Sequence, residues 1–176
     1  MKTREFSIST DHEGMYNITA RLREVIRESG VQSGLAVVYC PHTTAGITIN
    51  ENADPDVQHD LLLGLREAFP DRREFRHAEG NSTAHLKCSY VGPSQTVLIE
   101  DGKPILGIWQ GVYFCEFDGP RHRRYYIKVM ADNKLALAFP LCYNKVKHTL
   151  KRKIFSWKHW NVSKPAEASA SSPSSL

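Results

Sequence analysis

Three polar clusters interrupt a chain otherwise rich in apolar alternation, and each carries groups that do chemistry. The first is PHTTAGITINENADPD, residues 41–56. His42 offers an imidazole, Thr43 and Thr44 offer hydroxyls, and Glu51 offers a carboxylate. Turn and helix-cap chemistry accounts for Asn52 and Asp54. It does not account for His42-Thr43-Thr44 leading into Ala45-Gly46, where small residues let a ligand approach the backbone. The second cluster, RHAEGNSTAHL at 76–86, places His77 and His85 on either side of a Gly80-Asn81 loop. Neutral imidazoles are common transition-metal ligands, and carboxylates or waters complete such shells. The spacing matches no fixed motif such as H-E-x-x-H, so the pair reads equally as metal ligands or as hydrogen-bonded structural residues. The third, GIWQGVYFCEFDGPRHRR at 107–124, sets Gln110 beside a strand end and Glu116 and Asp118 on one strand face. Arg121 lies in the following turn, suited to phosphate, whereas Arg123 and Arg124 read as solvated surface arginines.

Several reaction classes find no support. There is no P-loop, no Rossmann glycine pattern and no G-x-S-x-G. No cysteine has an obvious histidine partner for a thiolate nucleophile. Metal-assisted or acid–base chemistry on a polar, phosphorylated small molecule fits the inventory better.

The periodicity predicts the elements that must hold these groups. Residues 2–9 alternate as a strand with Phe6 and Ile8 on one face. Ile18, Leu22, Val25 and Ile26 form a helical stripe between an Asn17 N-cap and a Gly30 terminator. Strands follow at 35–40 and 46–50. Asp54-Pro55 starts a second helix, with the stripe Val57, Leu61, Leu62, Leu65 and Phe69 closed by Pro70. Five further strands are expected at 85–91, 95–100, 105–109, 112–116 and 125–129, with turns at Asp101-Gly102 and Asp118-Gly119-Pro120. Two helices among these strands, without βαβ alternation, predict an α+β fold on a mainly antiparallel sheet.

Composition sets the outer limits. A chain of 176 residues with 41% apolar content fits one domain with an appendage. Residues 131–176 hold eight Lys or Arg against two acidic residues, which leaves fifteen basic and seventeen acidic in 1–130. The formal +4 charge therefore belongs to the tail, and nothing in 1–130 predicts nucleic-acid binding. Residues 131–162 read as a basic aromatic extension and 163–176 as a disordered Ser/Ala/Pro-rich tail. Neither a secretory signal nor a membrane span is expected. Cys40, Cys88, Cys115 and Cys142 read as free thiols in a reducing, cytoplasmic compartment.

At the three clusters the chain resembles a known family. PHTTAGITINENADPDVQHDL, HAEGNSTAHLKCS and DGKPILGIWQGVYFCEFDGPRHR, in that order, are similar to the YjbQ-like family, also called the secondary thiamine-phosphate synthases. The resemblance covers about residues 2–130 and departs in the tail. It implies a two-layer β-sandwich, a trimer, and a secondary activity joining hydroxymethylpyrimidine diphosphate to thiazole phosphate with release of pyrophosphate. By position it implies a polar set of His42, Thr43, Thr44, Glu51, Asp54, Asp60, His77, Asn81, His85, Gln110, Glu116, Asp118 and Arg121. On that set we expect His77 and His85 to bind a divalent metal, zinc or magnesium, with His42 as third ligand or general base. His42, Glu51, Glu116 and Asp118 form the expected catalytic group. Thr43, Thr44, Asn81, Gln110 and Arg121 are expected to bind substrate. A hydrolase or isomerase of another phosphorylated metabolite, or a non-catalytic ligand-binding protein, are the competing expectations.

Overall fold

A computed structural model describes residues 3–132. The basic extension and the Ser/Ala/Pro tail expected from the sequence lie outside the described residues, apart from Ala131 and Asp132. The elements in chain order are β1 (Arg4–Thr10), β2 (Gly14–Asn17), α1 (Thr19–Ser29), β3 (Gly34–Tyr39), β4 (Ala45–Glu51), α2 (Pro55–Ala68), α3 (Ser82–Val91), β5 (Ser94–Glu100), β6 (Lys103–Pro104), β7 (Gln110–Glu116) and β8 (Arg121–Ala131). The fold is α+β, as expected, and every strand pairing in it is antiparallel.

Two sheets form. The larger runs β1-β8-β3-β5-β6 and the smaller β2-β7-β4. Their inner faces share one core with α1. Ala36, Val38, Val97, Ile127 and Val129 come from the larger sheet, Ile47, Val112 and Phe114 from the smaller, and Leu22, Val25 and Ile26 from the helix. Alternation dictates this: along β8, Arg123, Tyr125, Ile127 and Val129 are buried while Arg124 and Lys128 are exposed. The stripe expected for α1 is the one buried, Gly30 closes that helix at φ 69°, and the Asn17 side chain accepts the Thr19 N–H at 2.9 Å. The other face of the smaller sheet carries Met15, Tyr113, Cys115 and Phe117, over which α2 and α3 lie.

Three expectations are corrected. Residues 85–91 belong to α3, a third helix, and not to a strand. Their Cys, Tyr and Val content mimics a strand, but Ala84, Lys87 and Cys88 recur at helical spacing on the buried side. Residues 105–109 form a loop after the short β6, in which Leu106 alone packs on the core while Ile105, Ile108 and Trp109 are exposed, Ile108 at 89%. The four-residue β2 is too short to show a period and was not expected.

The chain crosses between sheets three times at one end of the molecule: β1 to β2, β3 to β4, and β7 to β8. The register shows this, since Thr10 pairs Arg121, while both Gly14 and Ala45 pair Glu116. Those three corners carry His42, Thr43, Thr44 and Asp118. The sheet architecture also sets a backbone constraint at Gly34, where φ is 155° and an added Cβ would lie 2.0 Å from the Met130 carbonyl oxygen. Gly34→Ala should therefore lower unfolding stability by more than about 2 kcal/mol, read as a fall in urea midpoint at unchanged slope.

Candidate functional site

At the corner end, Glu116 is fully buried and Arg123 nearly so. The Arg123 guanidinium donates from Nε to Glu116 Oε2 at 2.7 Å and from Nη2 to Oε1 at 2.6 Å. Thr10 Oγ1 donates to Oε2 at 3.0 Å and the Asp118 N–H to Oε1 at 2.9 Å. Arg123 Nη2 also donates to Thr44 Oγ1 at 2.8 Å. Burial by itself would raise the Glu116 pKa, but these donors together hold it below the usual carboxylate value. Both carboxylate oxygens are saturated and closed to solvent, which moves Glu116 from the expected catalytic group to a structural one. Thr44 is buried in the same network and leaves the expected substrate-binding group. Arg123, expected to be solvated, is corrected to a core residue. Its alternation with Tyr125, Ile127 and Val129 is the signal that would have found it.

His42 lies beside this network. Its Nε2 accepts the Arg124 backbone N–H at 2.9 Å, beyond the point where β3 stops pairing with β8. Burial, reinforced by the Arg123 charge, lowers the imidazole pKa, consistent with a neutral ring accepting that bond. His42 thus extends the sheet with a side chain. Thr43, next to it, is exposed.

On the outer side of the corner, a polar chain runs from α3. Asn81 Nδ2 donates to Asp118 Oδ2 at 3.0 Å, and Arg121 Nη2 donates to the same oxygen at 3.0 Å. A carboxylate only accepts, so this bond fixes the amide orientation and turns Asn81 Oδ1 away. That oxygen is buried and receives no donor from any described residue. A buried acceptor without a donor costs about 1–3 kcal/mol. Asn81 provides no side-chain cap to α3, although its backbone carbonyl accepts the Ala84 N–H at 3.0 Å, which leaves the Ser82 and Thr83 amides without a cap from it.

One turn along α3, His85 meets His77 with ring centroids 5.1 Å apart and planes at 76°. The two line a cavity of about 440 Å³ with Phe75, Ser82, Leu86 and Ser89. Phe75, Ser82 and Ser89 were not singled out from the sequence; the helical spacing of Ser82, His85 and Ser89 would have revealed them had 85–91 been read as a helix. The cysteines Cys40, Cys88 and Cys115 are free and buried, and burial pushes the Cys115 thiol up to about 12. Cys142 lies outside the described residues.

Other expected residues are elsewhere. Glu51 pairs with Gln110 at the far end of the smaller sheet, a seven-residue strand and hence about 20 Å from the corner. Gln110 Oε1 accepts the Gly107 N–H at 2.7 Å and closes the exposed loop there. Asp54 caps α2 through the Asp56 N–H at 2.9 Å. Asp60 sits on the exposed side of α2 next to His59. For a metal, the donor set is short: among the described residues no three His, Cys, Asp or Glu gather around one point. His77 and His85 supply two imidazoles where an open zinc site takes three protein ligands.

The model of the family described as UPF0047 protein YjbQ-like matches residues 4–132. The chain belongs to the YjbQ-like UPF0047 family. Among its relatives, the YugU protein of Bacillus subtilis is 56% identical over 123 residues, covering 69% of this chain and 93% of that one. A UPF0047 protein of Methanocaldococcus jannaschii is 54% identical over 129 residues, covering 73% and 94%. A crystal structure of a YugU orthologue from Clostridium acetobutylicum superposes with a TM-score of 0.71 at 52% identity, covering 72% of this chain and 99% of that one. The YjbQ-like match ends at residue 132. A YbjQ-like protein of Sulfolobus solfataricus, described as of unknown function, gives the same TM-score at 25% identity over 74% and 97%. None of these descriptions names thiamine phosphate synthesis.

The corner network yields a stability prediction. Arg123→Met should destabilise the chain by about 3–5 kcal/mol at pH 7, because it strands a buried carboxylate. Glu116→Gln combined with Arg123→Met should lose clearly less than the two single changes summed, as a double-mutant cycle in urea would show.

Proposed function

We propose that this family member is a small-molecule enzyme acting on a phosphorylated substrate at the His77–His85 cavity. The observation that carries the reading is the edge-to-face imidazole pair over that cavity, one helical turn from the Asn81–Asp118–Arg121 chain. An imidazole has one ring nitrogen that donates and one that accepts, so the pair offers a route for a proton between substrate and solvent. Arg121, half-exposed, presents the rest of its guanidinium to an anion. The opening turn of α3 adds backbone dipole of the same sign.

Of the reactions such a site can run, we propose the group transfer that the resemblance implies: union of hydroxymethylpyrimidine diphosphate with thiazole phosphate and loss of pyrophosphate. Expulsion of pyrophosphate gathers negative charge on the leaving oxygens, which Arg121 and the uncapped Ser82 and Thr83 amides of α3 would stabilise in this reading. A protonated His77 or His85 would deliver the proton that the leaving group takes. In this reading Asp118 is a positioning residue that holds Arg121 and Asn81, and Thr43 is the remaining hydroxyl available to substrate. A divalent metal at His77 and His85 belongs to the proposal as a two-ligand attachment completed from outside this chain's described donors, and no step above runs through it.

A trimer is also proposed. It is supported by the large apolar side chains left on the surface, Tyr90 at 75% and Trp109 at 60% exposed, and by the frequency of small-molecule pockets at subunit boundaries. Light scattering should return three chain masses; a monomer mass refutes it. Reduced, buried thiols support a cytoplasmic location, and among the described residues no helix is long and apolar enough to cross a membrane.

The catalytic test is pyrophosphate release from the two precursors. Wild type should release it, and His77→Ala/His85→Ala should lower turnover at least about 100-fold with folding intact. Equal rates would overturn the proposal, and thermal stabilisation by a substrate that is never consumed would make the protein a binder instead.

A further inference from the structure

The smaller sheet has a second face, and its cover is incomplete. α2 carries the apolar stripe expected from its sequence, yet none of its residues is fully buried. The helix is held at both ends instead. Near its start, Gln58 Nε2 donates to the Tyr113 hydroxyl at 3.2 Å. Near its end, Arg66 Nε donates to Glu13 Oε2 at 2.8 Å, and the other oxygen of Glu13 accepts from buried Lys87 of α3 at 2.6 Å. Phe69, just past the helix, packs on Tyr90 with centroids 5.5 Å apart. These contacts hold the helix across the sheet, where Leu65 packs against the Tyr113, Cys115 and Phe117 face.

Beneath this span lies a cavity of about 330 Å³. Leu61, Leu62 and Leu65 of α2 form its roof, and Met15, Cys115 and Phe117 of the sheet form much of its floor. One side is polar. Thr48 and Asn50 share a face of β4 and line the same space. Asn50 Oδ1 accepts the Glu51 N–H at 2.7 Å, which leaves its amide NH₂ available as a donor. A cavity walled this way lies at the lower end of the range for small-molecule pockets, and cavities of about 150 Å³ lined by aliphatic and aromatic side chains bind benzene. Tyr90 and Val91 of α3 complete its lining, and the partly open space is of a size to admit one small ring.

We infer that the space under α2 is a binding site for a small aromatic molecule bearing one hydrogen-bonding substituent, with Thr48 and Asn50 reading that substituent. The site is separate from the His77–His85 cavity, which it shares no lining residue with, and does not depend on the proposed reaction.

Phenol and toluene test this, as ring probes with and without a hydroxyl. Ligand-observed NMR on the full chain should show saturable binding of both, one molecule per chain, with phenol the tighter. Thr48→Val should weaken phenol about fivefold and leave toluene unchanged, as expected for loss of one hydrogen bond. Leu62→Phe, which fills the roof, should abolish both while the melting temperature holds or rises. No saturable binding by wild type overturns the inference. So does binding that persists in folded Leu62→Phe, or equal loss of phenol and toluene in Thr48→Val.

Discussion

The buried pair of Glu116 and Arg123 is the constraint on which this structure turns. It sits where three chain segments leave one sheet for the other, and it touches all of them: Thr10 from the first corner, Thr44 from the second, and the Asp118 N–H from the third. A carboxylate taken out of water is costly unless every lone pair is met. Here a bidentate guanidinium, a hydroxyl and a backbone amide meet them. The arrangement ties the corners into one geometry, because moving any of them leaves charge exposed to an apolar core. Thr44 binds the free side of the guanidinium, so the pair also fixes the loop that carries His42 and Thr43.

Function is read on the outside of that corner. Asp118 faces both ways: its backbone N–H belongs to the buried pair, and its side chain gathers Asn81 and Arg121. The charged interior thus positions the exterior through one residue. The histidine cavity continues along α3, which Cys88 attaches to the second corner by donating to the Ala45 carbonyl at 3.0 Å. The contrast with α2 is instructive. That helix is held by side-chain bonds at its ends and leaves space under its middle, so the molecule is densely hydrogen-bonded at the corner and less fully packed one layer away.

Much of this was legible in the sequence. Alternation with period two located β1, short apolar runs located β3 and β7, and a 3.6 period ending at Gly30 located α1, whose N-cap is Ile18, one residue beyond the expected Asn17. The Asp54-Pro55 start of α2 followed from cap chemistry alone. Reading failed where local preference and tertiary role diverge. Residues 85–91 carry strand-forming types but are wound as a helix whose buried side is only Ala84, Lys87 and Cys88. Arg123 looks like a surface charge because charged residues usually are; only its parity along β8 betrays burial. The expected grouping of Glu51 with His42 fails because a strand's two ends are separated by its whole length however close they are in sequence.

Membership of the YjbQ-like family rests on a match across residues 4–132, and the corner network lies inside it. The central physical claim is that Glu116 stays ionised in the core because Arg123 and its neighbours hold it so. A carbon-13 NMR titration of the Glu116 side-chain carboxyl measures this directly. The account predicts a carboxylate chemical shift that persists below pH 4.5, the ordinary glutamate value, for as long as the protein stays folded. A carboxyl that takes up its proton at or above that pH in the folded protein would contradict it.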